Sequence, residues 1–122
     1  MDVHGFWKAV LAQVAEEIPR YFAEDAVINW HCTNERFTVA EFVRANCDYP
    51  GDWDGDVERI CEIPEGIVTV MKVYPKDQSA SFHVTSFLTL QNDKIVQMDE
   101  YWADDGPAPQ WRQEMHIGTM IC

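Results

Sequence analysis

KIVQMDEYW, residues 94–102, sets two acids side by side near the end of a segment that reads as a β-strand. Neighbouring side chains on a strand point to opposite faces. Asp99 and Glu100 must therefore separate, one toward the core and one toward water. Val96, Met98, Glu100 and Trp102 form the more apolar row; Ile95, Gln97, Asp99 and Tyr101 form the more polar one. The apolar row belongs inside, so Glu100 is expected on the inner face between Met98 and Trp102, with Asp99 outside. A carboxyl group among apolar neighbours is costly to ionise, and its pKa rises. Such a group suits proton transfer near neutral pH. The competing reading is a structural acid tied down by an Arg, a His or a backbone donor.

Working back from this strand, three more strand candidates cover 57–63, 67–74 and 79–91, and the last runs over 94–103. Pro64-Glu65-Gly66, Lys76-Asp77-Gln78 and Asn92-Asp93 separate them. Links this short join antiparallel neighbours. On the long strand Phe82, Val84, Ser86, Leu88 and Leu90 share one face, and His83, Thr85, Phe87 and Thr89 the other. The first face should meet helices. Phe87 on the second face points to a partly covered outer side, and so to a homodimer formed through it, with His83 at the interface.

Helices come first in the chain. Phe6, Trp7, Val10, Leu11 and Val14 make a helical stripe that Pro19 should interrupt. A short helix is expected around Ile18 to Phe22, then a strand over 26–32. A further helix opens at Thr38, where Thr-Val-Ala-Glu reads as a capping box closed by Glu41. Residues 49–56, YPGDWDGD, read as a loop, and the tail from Gly106 begins as a proline-rich one. Helices followed by hairpin strands give a single α+β domain over 1–122, with helices on one face of an antiparallel sheet.

The net charge of −12 argues against nucleic acid and anionic lipid, whose binding depends on Lys and Arg neutralising phosphates. No apolar run approaches the ~20 residues of a membrane span. The first ten residues carry no charged-then-apolar leader, so a cytoplasmic protein is expected. Cys32, Cys47, Cys61 and Cys122 form no C-x-x-C pair and are expected as buried free thiols. DWDGD (52–56) has alternating aspartates, but Gly55 is fourth and Ile63 occupies the twelfth position, so it does not fit a calcium loop. No His and carboxylate set has zinc spacing, and no Gly-rich phosphate loop is present. No metal and no cofactor is expected.

The order of elements, with AEDAVINW (23–30) and DKIVQMDEYW (93–102), resembles the nuclear-transport-factor-2-like superfamily, in particular SnoaL-like proteins and steroid Δ-isomerases. The resemblance implies a strongly curved sheet wrapped around the N-terminal helices, leaving a conical apolar pocket. It implies that Trp102 lines this pocket, with Met98 and Glu100 further along the same face. The isomerase roles do not carry over. They need an Asp base and an oxyanion hole of Tyr and protonated Asp. The corresponding positions hold Trp30, Phe6 and Ser86.

Two function classes follow. In the first, Glu100 is the general acid or base for a small apolar organic substrate, in an isomerisation, cyclisation, dehydration or hydration. Asn46, His31 or Ser86 would polarise an oxygen. Trp30, Tyr49, Trp53, Phe82, Ser86, Met98 and Trp102 would contact the ligand, with Asn34 and Glu35 at the rim. His31 points outward on a regular strand and reaches the pocket only through a bulge. In the second class the pocket only binds a ligand, or is filled by its own side chains.

Overall fold

The computed structural model describes all of residues 1–122. Helix α1, Val3–Leu11, is capped by Asp2, whose carboxylate accepts the Gly5 N–H at 2.9 Å. It buries Val3, Phe6, Trp7 and Val10. The apolar spacing extends to Val14, but the helix stops earlier because Gln13 adopts a left-handed φ of 56°. A 3₁₀ turn over Ile18–Tyr21 follows, with Pro19 in its first turn, where the missing N–H breaks no bond. Then come β1 (Phe22–Trp30), β2 (Glu35–Thr38) and α2 (Val39–Cys47). Four long strands complete the sheet: β3 (Trp53–Ile63), β4 (Gly66–Pro75), β5 (Phe82–Gln91) and β6 (Lys94–Asp104). A short exposed helix, α3 (Gln110–Gln113), lies in the tail.

The capping box of α2 is formed in full. Thr38 Oγ1 accepts the Glu41 N–H at 3.2 Å, and Glu41 Oε1 accepts the Thr38 N–H at 2.9 Å. Two of the four N–H groups that a helix start leaves unpaired are so satisfied or replaced by reciprocal bonds.

The six strands form one curved, open sheet in the order β2-β1-β6-β5-β4-β3. β3 to β6 form an antiparallel meander, as their short links require. The sheet is nevertheless mixed, because β1 lies parallel to β6. The first and last strands become neighbours across one helix and four strands. That closure sets Ile28 beside Met98 and Trp30 beside Glu100.

Residues 53–56 are strand rather than loop. Trp53 pairs with Pro75, Asp54 with Tyr74 and Gly55 with Val73. The aspartates alternate because they occupy the outward row, while Trp53, Gly55 and Val57 face the helices and are less exposed. Gly55 is where α1 crosses this edge strand. A β-carbon there would lie 2.7 Å from the Lys72 carbonyl oxygen and 3.1 Å from Leu11 Cδ1.

On β6 the inward row is Met98, Glu100 and Trp102, but Ile95 rather than Val96 continues it. A register shift between Thr89 and Leu90 pairs Thr89 with Gln97 and Leu90 with Ile95. The extra residue turns Ile95 inward, where it is wholly buried, and leaves Val96 half-buried.

The helices pack on the concave face. Phe6 makes edge-to-face contacts with Trp7, Tyr21 and Phe22, and Phe22 meets Phe42 of α2. The thiols depart from expectation: Cys32, Cys61 and Cys122 are exposed and Cys47 is half-buried. Cys32 lies in the turn after β1, and Cys61 on the exposed end of the β3–β4 hairpin, so neither reaches the core. No helix is long and apolar enough to cross a membrane. No group of three or more His, Cys, Asp or Glu side chains is disposed to hold a metal ion.

Replacing Thr38 with Ala removes the cap that starts α2. Its expected cost is about 1 kcal/mol, read as a lower urea midpoint at unchanged slope. A midpoint equal to wild type would show that tertiary packing alone fixes this helix start.

Candidate active site

Between the helices and the concave sheet lies a cavity of about 350 Å³. α1 contributes Trp7, Val10 and Leu11; α2 contributes Phe42, Ala45 and Asn46. The sheet contributes Trp30, Trp53, Val73, Phe82, Val84 and Trp102, together with Glu100. Thr33, Glu35, Tyr49 and Asp104, all exposed, mark its mouth.

Aromatic rings follow one another around this cavity. Tyr49 meets Trp53 (centroids 5.1 Å), Trp53 meets Phe82 (6.0 Å) and Phe82 meets Trp102 (6.5 Å). Trp102 in turn meets Trp30 (6.4 Å), and Trp30 meets Phe42 (6.3 Å). Trp30 and Trp102 stand nearly perpendicular, at 87°, and both line the cavity. Trp53 is fixed by its indole N–H, which donates to the Pro50 carbonyl at 3.0 Å.

Glu100 is 5% exposed and forms no ion pair. Each oxygen has its own donor: Trp30 Nε1 reaches Oε1 at 3.1 Å, and Ser86 Oγ reaches Oε2 at 2.5 Å. Both donors come from strands that flank β6, since Trp30 on β1 and Ser86 on β5 each pair directly with Glu100. Burial pushes the Glu100 carboxyl above its ordinary value, and the Ser86 and Trp30 bonds only partly offset this. Ser86 is itself wholly buried and reaches the cavity through Glu100.

Asp99 has the opposite fate. Burial acts to raise its pKa, but His31, Asn29 and Gln97 outweigh it and hold the carboxyl below its usual value. Asn29 Nδ2 and Gln97 Nε2 each approach at 2.9 Å, and His31 Nε2 lies 2.7 Å away. The adjacent acids of the closing strand are thus driven apart, one pushed below its usual pKa on the outer face and one pushed above it on the inner.

His31 therefore does not belong to the cavity. It follows the last residue of β1, binds Asp99 and stacks on Tyr101 at 4.3 Å, on the convex side. No bulge turns it inward. Met98 is also placed elsewhere: it is wholly buried in the core below the cavity, paired with Ile28 and Leu88. Asn46 lines the cavity, but its amide nitrogen is engaged, donating to the Val10 carbonyl at 2.8 Å. Gln13 reinforces that tie by donating to the carbonyls of Asn46 and Tyr49, each at 2.8 Å. The amide of Asn46 so joins α2 to α1. Asn34, in the turn after His31, is exposed and does not line the cavity, whereas Glu35 does. His83 on the convex face sits between Asp105 (2.5 Å) and Glu58 (3.1 Å); the Asp105 bond raises its pKa.

The Trp30 indole is the donor to Glu100 that residue patterning leaves out. Its partner acid lies 70 residues away and is met only through the parallel pairing.

No protein-family model and no curated protein matches the chain. Solved structures do. A candidate ketosteroid isomerase from Kribbella flavida superposes with a TM-score of 0.79 at 20% identity, covering 98% of this chain and 87% of that one. An NTF2-like protein of unknown function from Burkholderia xenovorans gives 0.72 at 18% identity, with coverages of 97% and 91%. A candidate SnoaL-like polyketide cyclase from Shewanella putrefaciens gives 0.66 at 12%, with coverages of 92% and 79%. At these identities the likeness is one of fold: the chain has the nuclear-transport-factor-2-like fold, which hosts many activities.

The raised Glu100 pKa has a consequence for stability. A carboxyl whose folded pKa exceeds its unfolded one stabilises the fold fully below the unfolded value. That contribution is lost as pH rises through the folded value. Glu100→Gln mimics the neutral acid, with an amide oxygen for Trp30 and an amide N–H for Ser86. It is expected to be more stable than wild type above the folded pKa and close to it below, read as Tm against pH. Parallel curves would show that Glu100 titrates as an ordinary carboxyl.

Proposed function

We propose that this protein binds a small, mostly apolar organic molecule in the aromatic cavity and that Glu100 acts on it as general acid or base. The observation that supports this reading is the state of Glu100. It is a buried carboxyl at the wall of an open cavity, free of any cationic partner, with each oxygen held by a neutral donor. A structural acid of this burial would be expected to sit against an Arg or Lys. Neutral donors fix the position of the carboxyl without locking it in the ionised form, so it can take and return a proton near neutral pH. Proton transfer of this kind would serve an isomerase or cyclase reaction, the activities named for two of the similar solved structures. The standard steroid isomerase arrangement is not reproduced, since Trp30, Phe6 and Ser86 stand at its three positions.

In this reading Glu100, as carboxylate, removes a proton from a carbon acid; the C–H bond breaks and an O–H bond forms on the carboxyl. The same group then returns a proton to the same or a neighbouring atom. The test follows ¹H signals of a panel of small ketones and enones in D₂O. Wild type should exchange a C–H position faster than buffer, and Glu100→Gln should lose about 10²–10⁴-fold of that rate while still binding the probe. Exchange retained in the variant would remove Glu100 from the chemistry. Binding without exchange, in wild type too, would favour a ligand carrier.

We also propose that two copies pair through the convex face of the sheet. Phe87 (39% exposed) and Tyr101 (46%) meet edge to face there, at 6.0 Å. Val68 pairs with Phe87 across the strands and extends the apolar patch. Sedimentation of wild type as a dimer and of Phe87→Glu as a folded monomer is expected. A wild-type monomer at micromolar concentration would refute the pairing.

A further inference from the structure

The aromatic cavity carries an electrostatic bias that proton transfer at Glu100 does not need. Two more carboxylates, Glu35 and Asp104, line its mouth, and no Lys, Arg or His lines it at all. Register places each acid against an aromatic wall. Glu35 on β2 is the cross-strand partner of Trp30. Asp104 on β6 is the cross-strand partner of Phe82 and lies two residues beyond Trp102, on the same face. Neither carboxylate is engaged in a hydrogen bond or an ion pair by its own side chain, whereas Asp99 and Asp105 on the convex side are tied to histidines. The faces of Trp, Tyr and Phe rings attract cations through the ring quadrupole, most strongly for Trp. Trp30, Trp102 and Phe82, with an acid on either side at the mouth, supply the groups that cation binding needs. The chain's net charge of −12 draws cations toward it.

Resting on the cavity reading above, we propose that the ligand is an organic ammonium ion. Its cationic head is held at the mouth by Glu35, Asp104 and the faces of Trp30, Trp102 and Phe82, and its apolar body reaches inward to Glu100. This division of labour leaves Glu100 free for the reacting carbon. Charge recognition sits on the two exposed acids at the mouth.

The probes are benzyltrimethylammonium and its neutral isostere neopentylbenzene, in which carbon replaces the nitrogen. Binding is followed by tryptophan fluorescence at fixed ionic strength. Wild type should bind the cation at least tenfold more tightly than the isostere. The double variant Glu35→Gln, Asp104→Asn should lose that preference while binding the isostere as wild type does. Glu62→Gln, Glu65→Gln removes the same charge at the far β3–β4 turn, and should keep the preference. Equal binding of the two probes, failure of the cation to bind, or a preference that survives the mouth variant would overturn the assignment. None of these outcomes touches the Glu100 exchange assay with neutral carbon acids. The cation site and the catalytic reading therefore fail separately.

Discussion

The pairing of the first strand, in parallel, against the last one is the constraint on which the rest depends. It joins the two ends of the fold and sets Trp30 beside Glu100 on one side, while the β5–β6 hairpin sets Ser86 beside it on the other. A carboxyl group this deeply buried is tolerable only if its oxygens are satisfied. Here both are, and no buried side-chain nitrogen or oxygen in the chain is left without a partner. Were β1 displaced by one residue, its whole inward row would turn outward. Glu100 would lose its indole donor and the cavity one of its walls.

The parts of this arrangement that are written locally were legible. The capping box at Thr38 and Glu41 lies within one turn of helix, and the alternation from Met98 to Trp102 within one strand. Both follow from geometry that extends over a few residues. What the residues did not show is whatever depends on a distant partner. The β1–β6 pairing spans some seventy residues and leaves no mark in either strand, so the residues alone point to a wholly antiparallel sheet and not to Trp30 as a donor. The same limit explains Ile95, which faces inward only because the bulge opposite Thr89 shifts the count by one. It also explains Trp53 to Asp56, where outward aspartates on an edge strand imitate the composition of a turn. Among the candidate site residues, those on the inward row of a strand reached the cavity when they lay near its open end. Met98 shares the row but sits lower, in the closed core. Depth along a strand is set by where the helices cross, and Leu11 over Gly55 marks that crossing.

The two oxygens of Glu100 are not equivalent, and the difference follows from their partners. An indole N–H can only donate, whereas a serine hydroxyl both donates and accepts. When the carboxyl is ionised, both groups can donate to it. When it is neutral, Trp30 still requires a lone pair on Oε1, so the proton belongs on Oε2, where Ser86 can turn and accept it. The Trp30 bond therefore persists through the protonation cycle and holds the carboxyl in place, while the Ser86 hydroxyl reorients to follow the charge. Such a pair of neighbours keeps the acid satisfied in both of its states. That is what a group must have if it is to exchange a proton with a bound molecule without rearranging the wall that holds it.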